Sequence, residues 1–165
     1  MAIKQFIRRS IIIFCSLFSR SKDSKVIFYH DVHNTTSYTP MSTHISALAQ
    51  HIEVAKNLGY EFVSQITQRQ NQLMVCFDDG FKGIWDNRLF FVENNIYPTV
   101  FIAVDLINKD GYLSVEEIKE LHDLGFTFQA HSWSHDDLSK YSTEELHKEL
   151  VLSKIELERL TGFHI

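Results

Sequence analysis

The sequence predicts an α/β fold in which parallel strands are covered by helices. From residue 25 onward, segments of strand character alternate with segments of helical periodicity, which is the pattern of parallel strands joined by helices. The strand segments, such as residues 26–29 and 73–77, are short apolar runs with few charges, as expected of strands buried on both faces. The composition agrees, because 44% of the 165 residues are hydrophobic and 22% are charged, enough for a packed core.

Five strands and four helices are predicted in order along the chain. The strands are expected at residues 26–29, 60–64, 73–77, 99–104 and 126–130. Apolar residues at helical spacing predict helices over 41–58 and 82–95. Two capping boxes, Ser114 with Glu117 and Ser142 with Glu145, predict the starts of two further helices, which end before Gly125 and Gly162.

The first 24 residues are set apart by their composition. Lys4, Arg8 and Arg9 precede a short apolar stretch at residues 10–18. That stretch is shorter than the ~20 residues that span a bilayer, and no small-x-small cleavage site follows it. Residues 1–24 are therefore interpreted as an uncleaved membrane-surface segment, a poor signal peptide or a plain leader helix, with the domain at 25–165. A membrane-associated or extracytoplasmic location is favoured over a cytoplasmic one.

The charge and the two cysteines argue against a nucleic-acid-binding surface and against a disulfide. The net charge is −5, and basic residues are concentrated near the N-terminus, so no nucleic-acid surface is expected. Cys15 lies in the N-terminal stretch and Cys76 in a predicted buried strand. A disulfide between them is not expected.

Polar residues follow several of the predicted strands. They are His30 with Asp31, Asp78 with Asp79, and the segment 131–135 with its two histidines. Because the carboxyl ends of parallel strands meet at one edge of the sheet, we expect these side chains to lie close together.

The spacing and chemistry of these residues suggest a metal centre. His131 and His135 are four residues apart, so on a helical turn both imidazoles would lie on one face. With Asp79 as a third ligand they would form an open site of the catalytic zinc type. Asp78 would then be free to act as a base, since zinc lowers the pKa of a bound water to roughly 7. A simple turn accounts for Gly80 but not for two acids at the end of a buried strand.

The chain resembles a known family in these motifs. The Phe-Asp-Asp-Gly sequence at 77–80 and the His-Ser-x-x-His sequence at 131–135 resemble the first two motifs of the polysaccharide deacetylases, the NodB homology domain or carbohydrate esterase family 4. The Tyr-His-Asp-Val sequence at 29–32 resembles the opening strand of many members. The resemblance covers residues 25–165.

The resemblance implies a distorted (β/α) barrel that removes acetyl groups from N-acetylated sugars of a polysaccharide with a divalent metal, most simply Zn²⁺. Asp78 matches the catalytic base, and Asp79, His131 and His135 match the metal ligands. An N-acetylated glycan is the implied partner. His30, Asp31 and Trp133 are further candidates for substrate contact, although Trp133 is equally consistent with core packing.

The chain also departs from the family pattern. Members carry an arginine-proline motif and a late histidine matched to the general acid, and the sequence to Ile165 has neither. His164 is too early for that role. We therefore expect an incomplete barrel that lacks its C-terminal part, with activity of the 165 residues alone left open. Two alternatives remain: a catalytically impaired module that binds a glycan or a partner, and a sister hydrolase of acetyl esters or amides.

Overall fold

The computed structural model describes residues 22–165 and shows a mainly parallel sheet with helices packed against it. The strands are β1 (Lys25–Tyr29), β2 (Asp31–His33), β3 (Ser42–His44), β4 (Glu61–Phe62), β5 (Gln72–Phe77), β6 (Thr99–Ile102) and β7 (Thr127–Ala130). The helices are α1 (Ile45–Asn57), α2 (Gly83–Asp86), α3 (Arg88–Glu93), α4 (Val115–Asp123), α5 (Thr143–His147) and α6 (Ser153–Thr161). Short 3₁₀ turns lie at Val104–Leu106 and Leu138–Lys140, and a π-helical turn at Lys148–Leu152 joins α5 to α6.

Strand β5 is the centre of the main sheet. It pairs in parallel with β1, β4 and β6, and β7 continues the sheet beyond β6, again in parallel. Strands β2 and β3 form a separate parallel pair. Within residues 22–165, β1 and β7 do not pair with each other. The predicted α/β barrel architecture is confirmed, and its barrel is open.

The core lies between the sheet and the helices. Side chains alternate between the two faces of a strand, so Val75 and Phe77 of β5 point into this layer and are almost fully buried. Phe77 packs edge-on against Phe91 of α3, with ring centroids 5.6 Å apart. In β1 the alternate residues Val26 and Phe28 remain 51% and 65% exposed. One face of this strand is therefore left uncovered.

Local contacts explain three differences from the predicted elements. Helix α1 begins at Ile45 rather than at residue 41, because Ser42–His44 pairs with β2 as strand β3. The helix predicted over 82–95 divides into α2 and α3 at Asn87, whose side-chain amide donates to the carbonyls of Val32 and Gly83. The helix predicted over 142–160 contains the π-helical turn.

The start of the domain is held by backbone pairing. Ser24 donates its N–H to the carbonyl of Arg69 at 2.8 Å, and Asn71 donates to the carbonyl of Lys22 at 2.7 Å. The segment therefore belongs to the folded unit from residue 22. The membrane-surface prediction for residues 1–24 falls almost wholly outside this part and stays a prediction. In the stretch from 22 to 165, no helix combines the length and apolar content needed to cross a bilayer.

Candidate metal centre

The acid pair follows the last residue of β5 and turns sharply. Asp78 still belongs to the strand ladder, because its N–H donates to the carbonyl of Tyr29 at 2.9 Å. Asp79 and Gly80 then both adopt positive φ, of 70° and 79°. Left-handed backbone at a residue other than glycine is uncommon, and such residues cluster at functional sites. The turn separates the two carboxylates into different environments: Asp79 is buried and Asp78 is partly exposed.

A loop on the far side of the turn holds it in place. The carbonyl of Gly80 accepts the N–H of Leu113 at 2.9 Å, and Lys82 donates to the carbonyl of Gly111 at the same distance. The rings of Phe81 and Tyr112 stack with centroids 4.6 Å apart. Both the backbone and the neighbouring rings therefore support the left-handed geometry of the acid turn.

The two histidines extend from the end of β7. His131 continues the strand ladder by donating its N–H to the carbonyl of Ile102 at 2.8 Å. The prediction that a helical turn brings His131 and His135 together is wrong, because Ser132 and His135 have positive φ and the segment is a loop. The N–H of His135 donates to the hydroxyl of Ser132 at 3.0 Å, which folds the loop back. The imidazole centroids lie 5.0 Å apart.

The three predicted ligands meet at one point. Oδ1 of Asp79 lies 3.0 Å from Nε2 of His135 and 3.5 Å from Nε2 of His131. One ligand atom from each residue lies within 4.8 Å of the others. Ligands 2.0–2.1 Å from a tetrahedral zinc ion are about 3.4 Å apart, so the two measured distances fit such an ion.

The hydrogen bonding of Asp79 supports the same conclusion. Its side chain is 7% exposed, and Oδ1 has no hydrogen-bond partner in the part of the chain described by the structure. The nearby imidazole nitrogens are within ion-pair distance but do not satisfy this atom with a hydrogen bond. A buried carboxylate oxygen without a partner is costly. A divalent cation between the three side chains would satisfy it.

Asp78 is left free beside this cluster. Within residues 22–165 no group donates a hydrogen bond to its carboxylate. Burial and, secondarily, the charge of Asp78 raise the pKa of the Cys76 thiol to about 11, so Cys76 is a neutral thiol at physiological pH. It is a small core residue, as the sequence predicts.

A cleft opens next to the histidines. Its volume is about 450 Å³, and its walls include His131, His135, Asp136 and Leu150. A larger cavity of about 540 Å³ is lined by residues such as Lys82 and contains none of the three ligands. We therefore place the candidate site at the smaller cleft, where the side chains of His131 and His135 are partly open to solvent.

The three further candidates for substrate contact, His30, Asp31 and Trp133, differ in how deeply they are buried. Asp31 is fully buried; its Oδ2 accepts the N–H of Tyr38 at 3.1 Å, and its carboxylate packs where a side chain at Gly83 would otherwise lie. Its Oδ1, like that of Asp79, is buried without a hydrogen-bond partner among the described residues, and a role for Asp31 at the site stays a prediction. His30 is partly buried and stays a prediction. Trp133 is partly buried and packs against the core.

The sequence did not single out Glu149 or Tyr112. Glu149 is 4% exposed and binds the loop between the two histidines. It occupies the inward stripe of the last helical region, with Ser153 and Leu157, where an apolar residue is usual. The sequence feature that could have singled out Glu149 was a charged residue on the inward face of a predicted helix. The pKa of Tyr112 is raised by burial and then by the charge of Asp79, a proximity that no sequence spacing indicates.

The fold and the site together are those of an α/β protein with a candidate metal centre at the edge of its sheet. One carboxylate and two imidazoles converge at the carboxyl edge of a parallel sheet, and a second carboxylate is free beside them. This is the arrangement of a catalytic metal site with an open position.

The comparison with protein families identifies the family. Residues 65–164 match the family described as polysaccharide deacetylase. This match spans more than half of the chain and contains the predicted base Asp78 and the three predicted metal ligands (Asp79, His131 and His135). The chain belongs to the polysaccharide deacetylase family.

One curated relative matches most of this chain. An uncharacterised 30.6 kDa protein of Geobacillus stearothermophilus is 23% identical over 160 residues, which cover 93% of this chain and 56% of that protein. The chain thus spans little more than half the length of this curated relative.

Solved structures share the fold. A polysaccharide deacetylase of Bacillus cereus is 26% identical and superposes with a TM-score of 0.71, covering 87% of this chain and 49% of that one. A deacetylase of Streptococcus pyogenes, solved in complex with acetate, has a TM-score of 0.72 at 18% identity and covers 85% and 70% of the two chains.

Proposed function

We propose that this chain carries the metal site of a deacetylase that removes acetyl groups from N-acetylated sugars of a polysaccharide. The observation that carries the proposal is the buried, unpartnered Oδ1 of Asp79 within ion-pair distance of two imidazole nitrogens. Family membership supports the substrate class.

The proposed mechanism assigns different tasks to the two acids. Asp79, His131 and His135 would hold a divalent ion, most simply Zn²⁺, because one carboxylate and two imidazoles suit it. Such an ion supplies Lewis acidity and lowers the pKa of water to about 7. Asp78, which accepts no hydrogen bond from the described residues, takes the proton of the attacking water as general base.

Protonation of the departing amine requires a general acid. His164 does not fit this role, because its Nδ1 lies 2.6 Å from Oε1 of Glu158 near the end of α6 and its side chain is 88% exposed. We therefore leave the acid unassigned. The proposal concerns binding of the acetamide and activation of water.

The test combines metal analysis with an acetate-release assay on N-acetylglucosamine oligomers, using the full chain. We expect one bound Zn²⁺ in the wild type and none in Asp79→Asn. Asp78→Asn should keep the metal but lose about 10²–10⁴-fold in turnover, the usual contribution of a general base. Asp110→Asn, an exposed acid, serves as the matched control and should keep both properties.

Other results would redirect the assignment. A protein that binds zinc and oligosaccharide but releases no acetate would contradict the deacetylase proposal and favour the glycan-binding alternative. Hydrolysis of aryl acetates without release from the oligomers would favour the sister hydrolase. Unchanged turnover in Asp78→Asn would remove Asp78 from the mechanism.

We further propose that residues 1–20 associate with a membrane surface, on the strength of their basic and apolar composition. Co-sedimentation of the full chain with anionic vesicles, lost when residues 1–20 are deleted, is the expected result. Equal sedimentation of both forms would contradict it.

A further inference from the structure

Glu149 is a buried glutamate that contacts the loop of the two histidine ligands. It lies in the π-helical turn Lys148–Leu152 and is 4% exposed, whereas its neighbours in that turn are exposed. Its Oε2 accepts two hydrogen bonds, from the N–H groups of Trp133 and Ser134, both at 2.8 Å. These two residues lie between His131 and His135.

Three other N–H groups of this loop bind backbone or the loop itself. His131 donates to a strand carbonyl, His135 donates to the Ser132 hydroxyl, and Asp136 donates to the Ser134 hydroxyl. Among residues 22–165, Glu149 is the only side chain from outside the loop that accepts its N–H groups. It therefore ties the middle of the loop to the last helical region.

The loop needs such a support because its backbone is unfavourable. Ser132 and His135 have φ of 63° and 65°, and left-handed backbone at residues other than glycine is unfavourable unless the surroundings hold it. Hydrogen bonds to a carboxylate are roughly twice as strong as neutral ones. A buried carboxylate that accepts two of them is suited to fixing the loop in this conformation.

Glu149 lies on the buried face of the last helical region. Helix α5 has no buried residues, whereas Ser153 and Leu157 of α6 are buried. Glu149 precedes Ser153 by four residues, so the two side chains lie on the same face of this region. The carboxylate therefore faces the histidine loop, from which it accepts its two hydrogen bonds.

We propose that Glu149 is a positioning residue, which fixes His131 and His135 in the geometry that binds the metal by holding the backbone between them. The inference rests on the proposed metal centre and goes beyond it. Glu149 contacts no ligand atom itself, and it acts through the N–H groups of Trp133 and Ser134.

The test measures Zn²⁺ affinity by chelator competition, together with hydrogen exchange of the peptide containing residues 131–136. Glu149→Ala removes both acceptors, and we expect Zn²⁺ affinity to fall about 10–100-fold, as for other groups that orient metal ligands. Glu149→Gln keeps the size and one acceptor oxygen, so its loss should be smaller but measurable. Both variants should exchange the amides of Trp133 and Ser134 faster than wild type. Glu144→Gln, an exposed glutamate of α5, should match wild type.

The outcomes separate this inference from the proposed function. Zn²⁺ affinity and amide exchange equal to wild type in the Glu149 variants would overturn it, even with a lower Tm, because loss of burial alone explains a lower Tm. If Glu149→Ala does not fold, Glu149→Gln decides. A wild type that binds Zn²⁺ but releases no acetate removes only the proposed activity, whereas a wild type that binds no Zn²⁺ removes both proposals.

Discussion

Asp78 and Asp79 show how one backbone turn separates two identical side chains. Asp78 keeps the strand conformation and is partly exposed, whereas Asp79 enters the left-handed region and is buried against two imidazoles. Repulsion between adjacent carboxylates falls when one is neutralised by a cation and the other faces solvent. This geometry supports the proposed roles of Asp78 as base and Asp79 as metal ligand.

The thiol of Cys76 gives a pH-dependent prediction at the same scale. Cys76 is 2% exposed, and burial raises the pKa of its thiol from 9.0 to about 11. Because the pKa of the Cys76 thiol is higher in the folded state than in the unfolded state, the neutral thiol favours folding. The stability that this preference gives is complete below the unfolded-state pKa and is lost as pH rises through about 11. We expect the free energy of unfolding to fall between pH 9 and 11, by no more than about 3 kcal/mol from this group.

The comparison of wild type with Cys76→Ala isolates the thiol. Urea unfolding across this pH range should show a steeper loss of stability in the wild type than in the variant, because tyrosines and lysines titrate in both proteins. If stability fell equally steeply with pH in wild type and in Cys76→Ala, ionisation of the Cys76 thiol would not account for the loss.

At the scale of elements, the two capping boxes provide a matched pair. In α4 the Ser114 hydroxyl accepts the N–H of Glu117, and in α5 Ser142 bonds Glu145 in the same way. Helix α4 packs against the core through Ile118 and Leu121, but α5 buries no side chain. Loss of a cap should therefore affect the unfolding of the whole domain more at α4 than at α5.

The prediction is that Ser114→Ala lowers the free energy of unfolding by about 1 kcal/mol, the usual value for a cap. Ser142→Ala should lower it less, because α5 frays locally before the domain unfolds. Urea titration followed by circular dichroism measures both, with the exposed Ser64→Ala as control. An equal loss in both variants would contradict the distinction between a packed helix and a peripheral one.

At the scale of the whole molecule, the sheet is open. Strand β1 pairs only with β5 among the described strands, and its residues Val26 and Phe28 are 51% and 65% exposed. An exposed apolar edge strand is a site of self-association. The chain is therefore expected to associate at high concentration through this strand.

Phe28→Lys should reduce that association, because a charge on an edge strand opposes edge-to-edge pairing. Light scattering over a concentration series measures the change. Leu89→Lys changes a residue of α3 that is similarly exposed, at 62%, and should have little effect. If both variants lowered the apparent mass equally, the association would depend on general hydrophobicity rather than on β1.

The sequence alone determined the class of fold and pointed to the residues of the candidate metal centre. Alternation of apolar strands and amphipathic helices is a local pattern, so it predicted the parallel sheet, and capping residues marked the helix starts at Ser114 and Ser142. The convergence of the candidate metal ligands was predictable because polar residues at the ends of parallel strands lie at one edge of the sheet. These features depend on residue type and spacing, which are visible without coordinates.

Only the tertiary structure decided how the candidate site is held and how deeply each predicted residue is buried. The histidines meet through a strained loop instead of a helical turn, and Glu149 supports that loop from 15 and 16 residues away. Asp31 follows a strand, as the site residues do, yet it is buried beneath Gly83. Such contacts join segments distant in sequence, and their geometry depends on the packing of the whole domain.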